Sequence, residues 1–219
     1  MTPPVSGYVL AGGLSSRMGT DKSLLRLDGV TLLEIALRKV REVCGDAAIL
    51  CGSTERSVQL AAYGRCVVDR VEASGPLGGL DAALHDAQQE WLLIVPVDVP
   101  LLPASALREL MEQATENGKP NVACFDGPER RQPLPVVLHR STRQVFAVAL
   151  SEGKHRLMPI LRDAADAVCP LGMCVLPTVE ITDELTATAW FTNVNTPDDL
   201  RSAGELLRAG NDFLPRASE

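Results

Sequence analysis

Aromatic residues are scarce in this chain: two Trp, two Tyr and four Phe make up 4% of its 219 residues. So small a set leaves few platforms on which the bases of a nucleic-acid strand could stack. Positive charge is also in deficit, with 21 Lys and Arg against 28 Asp and Glu and a net charge of −7. That balance argues against a nucleic acid or an anionic membrane as partner, although a local basic pocket can coexist with an acidic exterior. No run approaches the ~18 consecutive apolar residues of a transmembrane helix. The opening MTPPVSGYVLAGG has neither the basic region nor the long apolar segment of a secretion signal, so a cytoplasmic location is expected. The histidines His85, His139 and His155 never pair at metal-ligand spacing, and no Ser-His-Asp arrangement is evident. Cys44, Cys51, Cys66, Cys124, Cys169 and Cys174 are scattered, mostly inside apolar runs, and read as small buried hydrophobes in a reducing compartment. Cys169 and Cys174 lie five apart, but no second pair completes a zinc site.

What is present is an ordinary globular balance, 46% hydrophobic and 22% charged. The length suits one substantial core, here expected over residues 1–209 as a single domain, with a polar, flexible tail at 210–219. Short apolar runs at 6–11, 47–51, 66–69 and 91–96 read as strands. Helical patterns at 31–43, 55–62 and 78–89 separate them, the first with Arg38, Lys39, Arg41 and Glu42 on its outer side. This alternation predicts a Rossmann-like, three-layer α/β/α fold with a mostly parallel central sheet. Further on, a helix is expected from 104 to 117 with Gly118 as its stop. Strands at 121–125 and 134–139 are joined by a charged turn. Helices at 142–152 and 155–165, a strand at 171–176 and a last helix at 197–208 complete the pattern.

Between Val9 and Leu27 the sequence is VLAGGLSSRMGTDKSLLRL. An apolar strand ends in Leu10-Ala11-Gly12-Gly13, and a polar loop carrying Arg17, Gly19 and Lys22 follows. Glycines let backbone N–H groups approach a ligand, and two cations five residues apart add charge where an anion would sit. The segment therefore describes a phosphate-binding loop at the carboxyl end of the first strand. It fits neither GxxxxGK[ST] nor GxGxxG. A second constellation is Leu92-Leu-Ile-Val-Pro-Val-Asp98-Val-Pro100, an aspartate directly after a buried strand. Mg²⁺ binds through one or two carboxylates together with substrate phosphates, so Asp98 is a candidate ligand for Mg²⁺. Asp69 ends Cys66-Val-Val-Asp69 and precedes Gly75-Pro76-Leu77-Gly78-Gly79, a run expected to supply loop backbone ahead of a helix N-terminus that favours anions. Asp69 is placed to accept hydrogen bonds from a ribose or base. Near the end, Asn193-Val-Asn195-Thr196-Pro197-Asp-Asp-Leu200 combines a helix cap with two amides whose oxygens are candidates to reach a metal or an acceptor.

The pattern L-A-G-G-x-S-x-R-M-G-x-D-K closely resembles the opening signature of the molybdenum cofactor guanylyltransferases, the MobA-type nucleotidyltransferases. Asp98, and the closing N-x-N-T-P-x-[DE]-L, match the same family in order, covering residues 8–200. The resemblance implies transfer of GMP from GTP to the phosphate of Mo-molybdopterin, with Mg²⁺ as cofactor. It implies catalytic roles for Arg17, Lys22 and Asp98, the last also holding the metal. The nucleotide pocket would be lined by Leu10, Ala11, Gly12, Gly13, Lys22, Cys51, Asp69, Gly75, Pro76, Leu77 and Asp98. Cys51 stands where the family carries an asparagine, and the contact falls either there or at Ser53. Arg156, Asn193 and Asn195 would face the acceptor, with Arg130 and Arg131 as further candidates. Gly12, where related cytidylyltransferases carry alanine, implies more room for a purine. Molybdoenzyme, chaperone or biosynthetic protein partners are expected to accompany such an activity. The alternatives are a molybdopterin cytidylyltransferase, a sugar-phosphate nucleotidyltransferase, or a nucleotide-binding regulator without turnover.

Overall fold

The computed structural model describes residues 4–12, 21–72, 74–115, 122–168 and 172–209. In chain order the elements are β1 (Val5–Leu10), a 3-10 turn (Lys22–Leu24), a small hairpin of β2 (Arg26–Leu27) and β3 (Val30–Thr31), α1 (Leu32–Cys44), β4 (Ala48–Gly52), α2 (Thr54–Leu60), β5 (Cys66–Val68), α3 (Gly75–Asp86) and β6 (Trp91–Pro96). Then follow α4 (Ala104–Thr115), β7 (Val122–Asp126), β8 (Arg131–His139), α5 (Arg143–Ser151), α6 (Leu157–Val168), β9 (Cys174–Pro177), α7 (Glu184–Trp190) and α8 (Pro197–Arg208). The end of the α4 helix and the tail at 210–219, both anticipated from sequence, lie outside the described residues.

Seven strands form one sheet in the order β5-β4-β1-β6-β8-β7-β9. β8 alone in this sheet runs antiparallel to its neighbours, and the other pairings are parallel. Successive side chains of a strand point to opposite faces, and both faces here are covered. Val9, Ile49, Leu93 and Val95 pack with α1 and α4 on one side. Tyr8, Leu10, Leu50, Leu92 and Ile94 pack with α3, α5 and α6 on the other. This double burial is why the strands read as continuous apolar runs. α1 begins on a reciprocal cap in which the Thr31 hydroxyl accepts from the Glu34 N–H at 3.2 Å and the Glu34 carboxylate accepts from the Thr31 N–H at 3.0 Å.

Four expectations need correction. The Gly75-Pro76-Leu77-Gly78-Gly79 run is not a loop but the opening turns of α3, because Pro76 suits the first helical turn and the small glycines pack against β1 and β5. β8 starts at Arg131, three residues early, since pairing with β7 extends to Asp126↔Arg131. α7 has no counterpart in the expected elements; its side-chain cap, Asp183 accepting from the Thr186 N–H at 3.0 Å, starts a short helix that lacks a long apolar stripe. Lys39 is not on the outer side of α1: it is 2% exposed, and its Nζ donates to the Pro100 carbonyl just beyond β6. The lysine stem lies along apolar surface, and a strand-end carbonyl satisfies its head.

Burial pushes the Lys39 ammonium down to about 7. The unfolded chain, with an ordinary lysine, then holds more protons than the folded one above that value, so stability rises with pH. From pH ~8 upward the Cys44, Cys51, Cys66 and Cys124 thiols, all raised chiefly by burial, oppose the trend as the unfolded chain ionises there. Urea unfolding at pH 7, 7.5 and 8 should show stability increasing by up to about 1 kcal/mol per pH unit, and Lys39→Met should flatten that rise. Equal slopes in the two proteins would exclude Lys39 as the source.

Candidate active site

The chain winds outward from β1 to β4 and β5, then crosses back to β6 on the other side of β1. That reversal opens a crevice at the carboxyl ends of β1 and β6, where open α/β sheets bind ligands. Past β1, the Ala11 and Gly12 N–H groups both donate to the Leu50 carbonyl, at 3.1 and 2.8 Å. Past β6, the Val97 N–H donates to the Leu10 carbonyl at 3.2 Å, and Asp98 comes next.

Lys22, Asp98 and Asn195 meet here. The Lys22 ammonium stands 3.1 Å from Asp98 Oδ2 and donates to Asn195 Oδ1 at 2.7 Å, although these partners are 76 and 173 positions away in sequence. Each is set by its own local device. Asp21 caps the 3-10 turn that carries Lys22, accepting from the Ser23 N–H at 2.9 Å and the Ser23 hydroxyl at 2.7 Å. The Asp98 carbonyl accepts from the Val194 N–H at 2.9 Å, tying the β6 end to the segment before α8. That segment is anchored by buried Trp190, Phe191 and Val194, with the Phe191 ring 5.6 Å from that of Phe125. Asn195 is held by Asp199, whose carboxylate accepts from the Asn195 and Thr196 N–H groups at 2.8 Å each. Those hydrogen bonds, the Asn195 N–H foremost, lower the Asp199 carboxyl from its ordinary value.

Asp69 sits at the end of β5, its N–H donating to the Gly52 carbonyl at 2.9 Å. Its Oδ2 lies against α3, where a Cβ at Gly78 would stand only 2.6 Å away. Oδ1 is buried without a hydrogen-bond donor among the described residues. An orphaned buried acceptor is costly, and a ligand N–H or O–H would satisfy it. Burial first, and the neighbouring Asp81 second, push the Asp69 carboxyl up to about 6. α3 begins at Gly75 with no side-chain cap at Ser74, so its first N–H groups lack that partner.

Other expected residues are placed differently. Cys51 is fully buried and its thiol donates to the Val67 carbonyl at 3.2 Å, so its side chain faces the interior rather than a ligand. Of this strand end, exposed Ser53 is the better placed. Leu10 and Leu77 likewise put their side chains in the core, leaving only backbone to offer. A Cβ at Gly12 would stand 3.3 Å from the Gly52 nitrogen. The missing methyl therefore permits β1 and β4 ends to approach each other and does not open space for a purine. Asn193 turns back, donating to the Phe191 carbonyl at 3.2 Å. Strand directions put Arg156, between α5 and α6, and the 127–130 hairpin tip with Arg130 and Arg131 at the same carboxyl edge of the sheet. Arg156 is exposed, and Arg131 lies 3.8 Å from Asp126. Gly13 and Arg17 lie outside the described residues. One site-forming residue escaped the sequence patterns altogether: Arg56, whose guanidinium bridges Ala11 and Asp21. Its only signal is an arginine in the first turn of a helix that follows a glycine-terminated strand.

Among the described residues no group of three or more His, Cys, Asp or Glu could hold a metal ion, and no helix is long and apolar enough to cross a membrane. Against known proteins, residues 7–168 match the model of the MobA-like NTP transferase domain. The molybdenum cofactor guanylyltransferase of Photobacterium profundum is 30% identical over 204 residues, covering 92% of this chain and 96% of that protein. That of Serratia proteamaculans is 34% identical, covering 76% and 83%. Among solved structures, molybdopterin-guanine dinucleotide biosynthesis protein A from Archaeoglobus fulgidus superposes with a TM-score of 0.78 at 21% identity, covering 94% of this chain and 100% of that one.

The Asp69 environment is testable without any ligand. Carboxyl ¹³C spectra should show Asp69 titrating near pH 6, and Asp81→Asn should lower that midpoint by removing one of its two causes. A midpoint near 4 in the parent protein would mean a solvated carboxylate and no orphaned acceptor.

Proposed function

This chain belongs to the MobA-like NTP transferase family, and from that premise we propose that it transfers GMP from GTP to the phosphate of Mo-molybdopterin. The observation that carries the reading is the convergence of Lys22, Asp98 and Asn195 at the β1/β6 crevice. A terminal phosphate is already an anion and needs no general base. Its oxygen attacks the α-phosphorus in line, and the bond from that phosphorus to the β-phosphate bridging oxygen breaks, so pyrophosphate leaves with the bonding pair. What the protein must supply is position and positive charge. Lys22 brings a mobile ammonium, held in reserve on Asp98 and Asn195, that can follow charge onto the leaving pyrophosphate. Arg17 is assigned the same duty from its place in the loop motif.

The residues fit Mg²⁺. Asp98 and Asn195 offer two hard oxygen donors already turned to one cation, the Lys22 ammonium. A single carboxylate completed by substrate phosphates is a common Mg²⁺ arrangement. Asp98 would hold the ion, which when bound supplies Lewis-acid polarisation of the phosphates. Asp69 Oδ1 would accept from a ribose hydroxyl or a base N–H of the nucleoside, while the uncapped N–H groups at the start of α3, around Gly75 and Pro76, would donate to its oxygen acceptors. Arg156, Arg130 and Arg131, at the same edge, are assigned to the anionic acceptor, and Asn195 faces it from the α8 side. Such an activity would run in the cytoplasm, and handing on the finished cofactor calls for contact with a recipient or biosynthetic protein.

The assay is label transfer from α-labelled GTP and CTP, at equal concentration, to molybdopterin with Mg²⁺. Guanylyl product should dominate by at least about 100-fold, because a pocket built to hydrogen-bond one base edge leaves its own groups unpaired on another. Asp98→Asn should keep the fold yet cost about 3 kcal/mol or more in the barrier, roughly 100-fold in rate. Predominant cytidylyl product would replace the guanine assignment with the cytidylyltransferase one. Full turnover by Asp98→Asn would remove Asp98 from the mechanism.

A further inference from the structure

Arg56 lies in the first turn of α2, outside every motif that marks the site. Its guanidinium nonetheless joins three chain segments at the crevice. Nε donates to the Cys51 carbonyl at 3.1 Å, and Nη2 donates to the Ala11 carbonyl at 2.7 Å. Nη1 lies 2.6 Å from Asp21 Oδ2, while Nη2 also reaches Asp21 Oδ1 at 3.2 Å. The pair is largely withdrawn from water, with 19% of the arginine and 17% of the aspartate side chain exposed.

The two carbonyls are available for a reason. Pairing of β1 with β4 and β6 ends at Leu10, so Ala11 O lies past the ladder. Between β4 and β5 the register jumps from Leu50↔Val67 to Gly52↔Val68, and the bulged Cys51 has no partner residue across the ladder. A guanidinium offers five N–H donors in a planar fork, and here it hydrogen-bonds both carbonyls and Asp21 Oδ1 at once.

Ala11 immediately precedes Gly12, and Asp21 immediately precedes Lys22. Arg56 therefore ties the residue before the glycine loop to the residue after it, and both to the end of β4. Asp21 is also the cap of the turn that carries Lys22. We infer that Arg56 is a positioning residue for phosphoryl chemistry: by clamping Ala11 and Asp21 together it aims the Lys22 ammonium into the β1/β6 crevice, and it acts on the reaction only through Lys22 and the loop ends. This rests on the guanylyl-transfer function and adds to it a residue that the reaction needs without touching substrate.

The test is a double-mutant cycle on GTP-dependent transfer to molybdopterin, using Arg56→Ala, Lys22→Ala and the pair. Turnover by the parent protein establishes the reaction; its absence would fail the functional reading and not the clamp. With that in hand, Arg56→Ala should lower kcat by about 30-fold, and adding it to Lys22→Ala should cost less than about threefold more, since residues acting as one unit are not additive. Arg56→Lys should not restore the rate, because a point-charge ammonium cannot span three acceptors. Should Arg56→Ala unfold at the assay temperature, Asp21→Asn decides alone, since it keeps an oxygen for the Ser23 cap and loses the ion pair. It should then reproduce the kcat loss and the non-additivity. A fully multiplicative loss in the Lys22→Ala background, or parent-level turnover in Arg56→Ala or Asp21→Asn, would overturn the inference.

Discussion

The ion pair between Lys22 and Asp98 is the contact on which the site depends. Among the described residues neither charge makes another ion pair within 4 Å, and both are withdrawn from water, with 15% and 29% of their side chains exposed. A partly buried pair of this kind is held less by its own strength than by the cost of separating it without a replacement. Cation and carboxylate are thus each poised to exchange the other for a stronger partner. A polyphosphate would do that for the lysine, and a hard divalent cation would do it for the aspartate. A site whose resting contacts are weaker than its loaded ones binds charged substrate at little electrostatic cost.

The fold's contribution is to bring these groups together from distant parts of the chain. The crossover between β1 and β6 puts two strand ends side by side, and every device near them fixes backbone. Arg56 ties Ala11 and Cys51, Lys39 ties Pro100, and the Val194 N–H ties Asp98. The last of these brings the α7–α8 connection, with Asn195, onto the β6 end. A shared logic runs through all of them. Strand ends carry carbonyls that no ladder satisfies, and a buried carbonyl must find a donor. Here basic side chains and one backbone N–H supply it, and in doing so they locate the reactive groups.

Much of this was legible in the sequence. Strands buried on both faces read as apolar runs, so β1, β4, β5 and β6 and the helices between them could be located to within a few residues. Asp98 is singled out by its place after such a run, Lys22 by the glycine-rich loop pattern and Asn195 by the N-x-N-T-P segment, and the structure brings the three together. What could not be read has a common physical cause, dependence on a partner elsewhere in the fold. Lys39 looks like any surface lysine until the Pro100 carbonyl is beside it. Cys51 occupies a strand-end position, but the alternation that puts Ile49 in the core puts Cys51 on the same buried face. Gly12 suggests an open pocket only while Gly52 is out of view. Arg56 shows locally only its place in the first turn of a helix after a glycine-ended strand, because its three acceptors come from three segments. The antiparallel direction of β8 is a matter of connectivity, which periodicity does not encode.

The direct test of this account is a crystal structure with Mg²⁺ and a non-hydrolysable GTP analogue. Lys22 Nζ should have left Asp98, the two standing more than about 4 Å apart, the limit of an ion pair. The lysine should then lie on phosphate oxygen and the Asp98 carboxylate on the metal, with Ala11, Asp21 and Arg56 unmoved. A nucleotide bound with the Lys22–Asp98 pair still closed, and the metal held elsewhere, would contradict it.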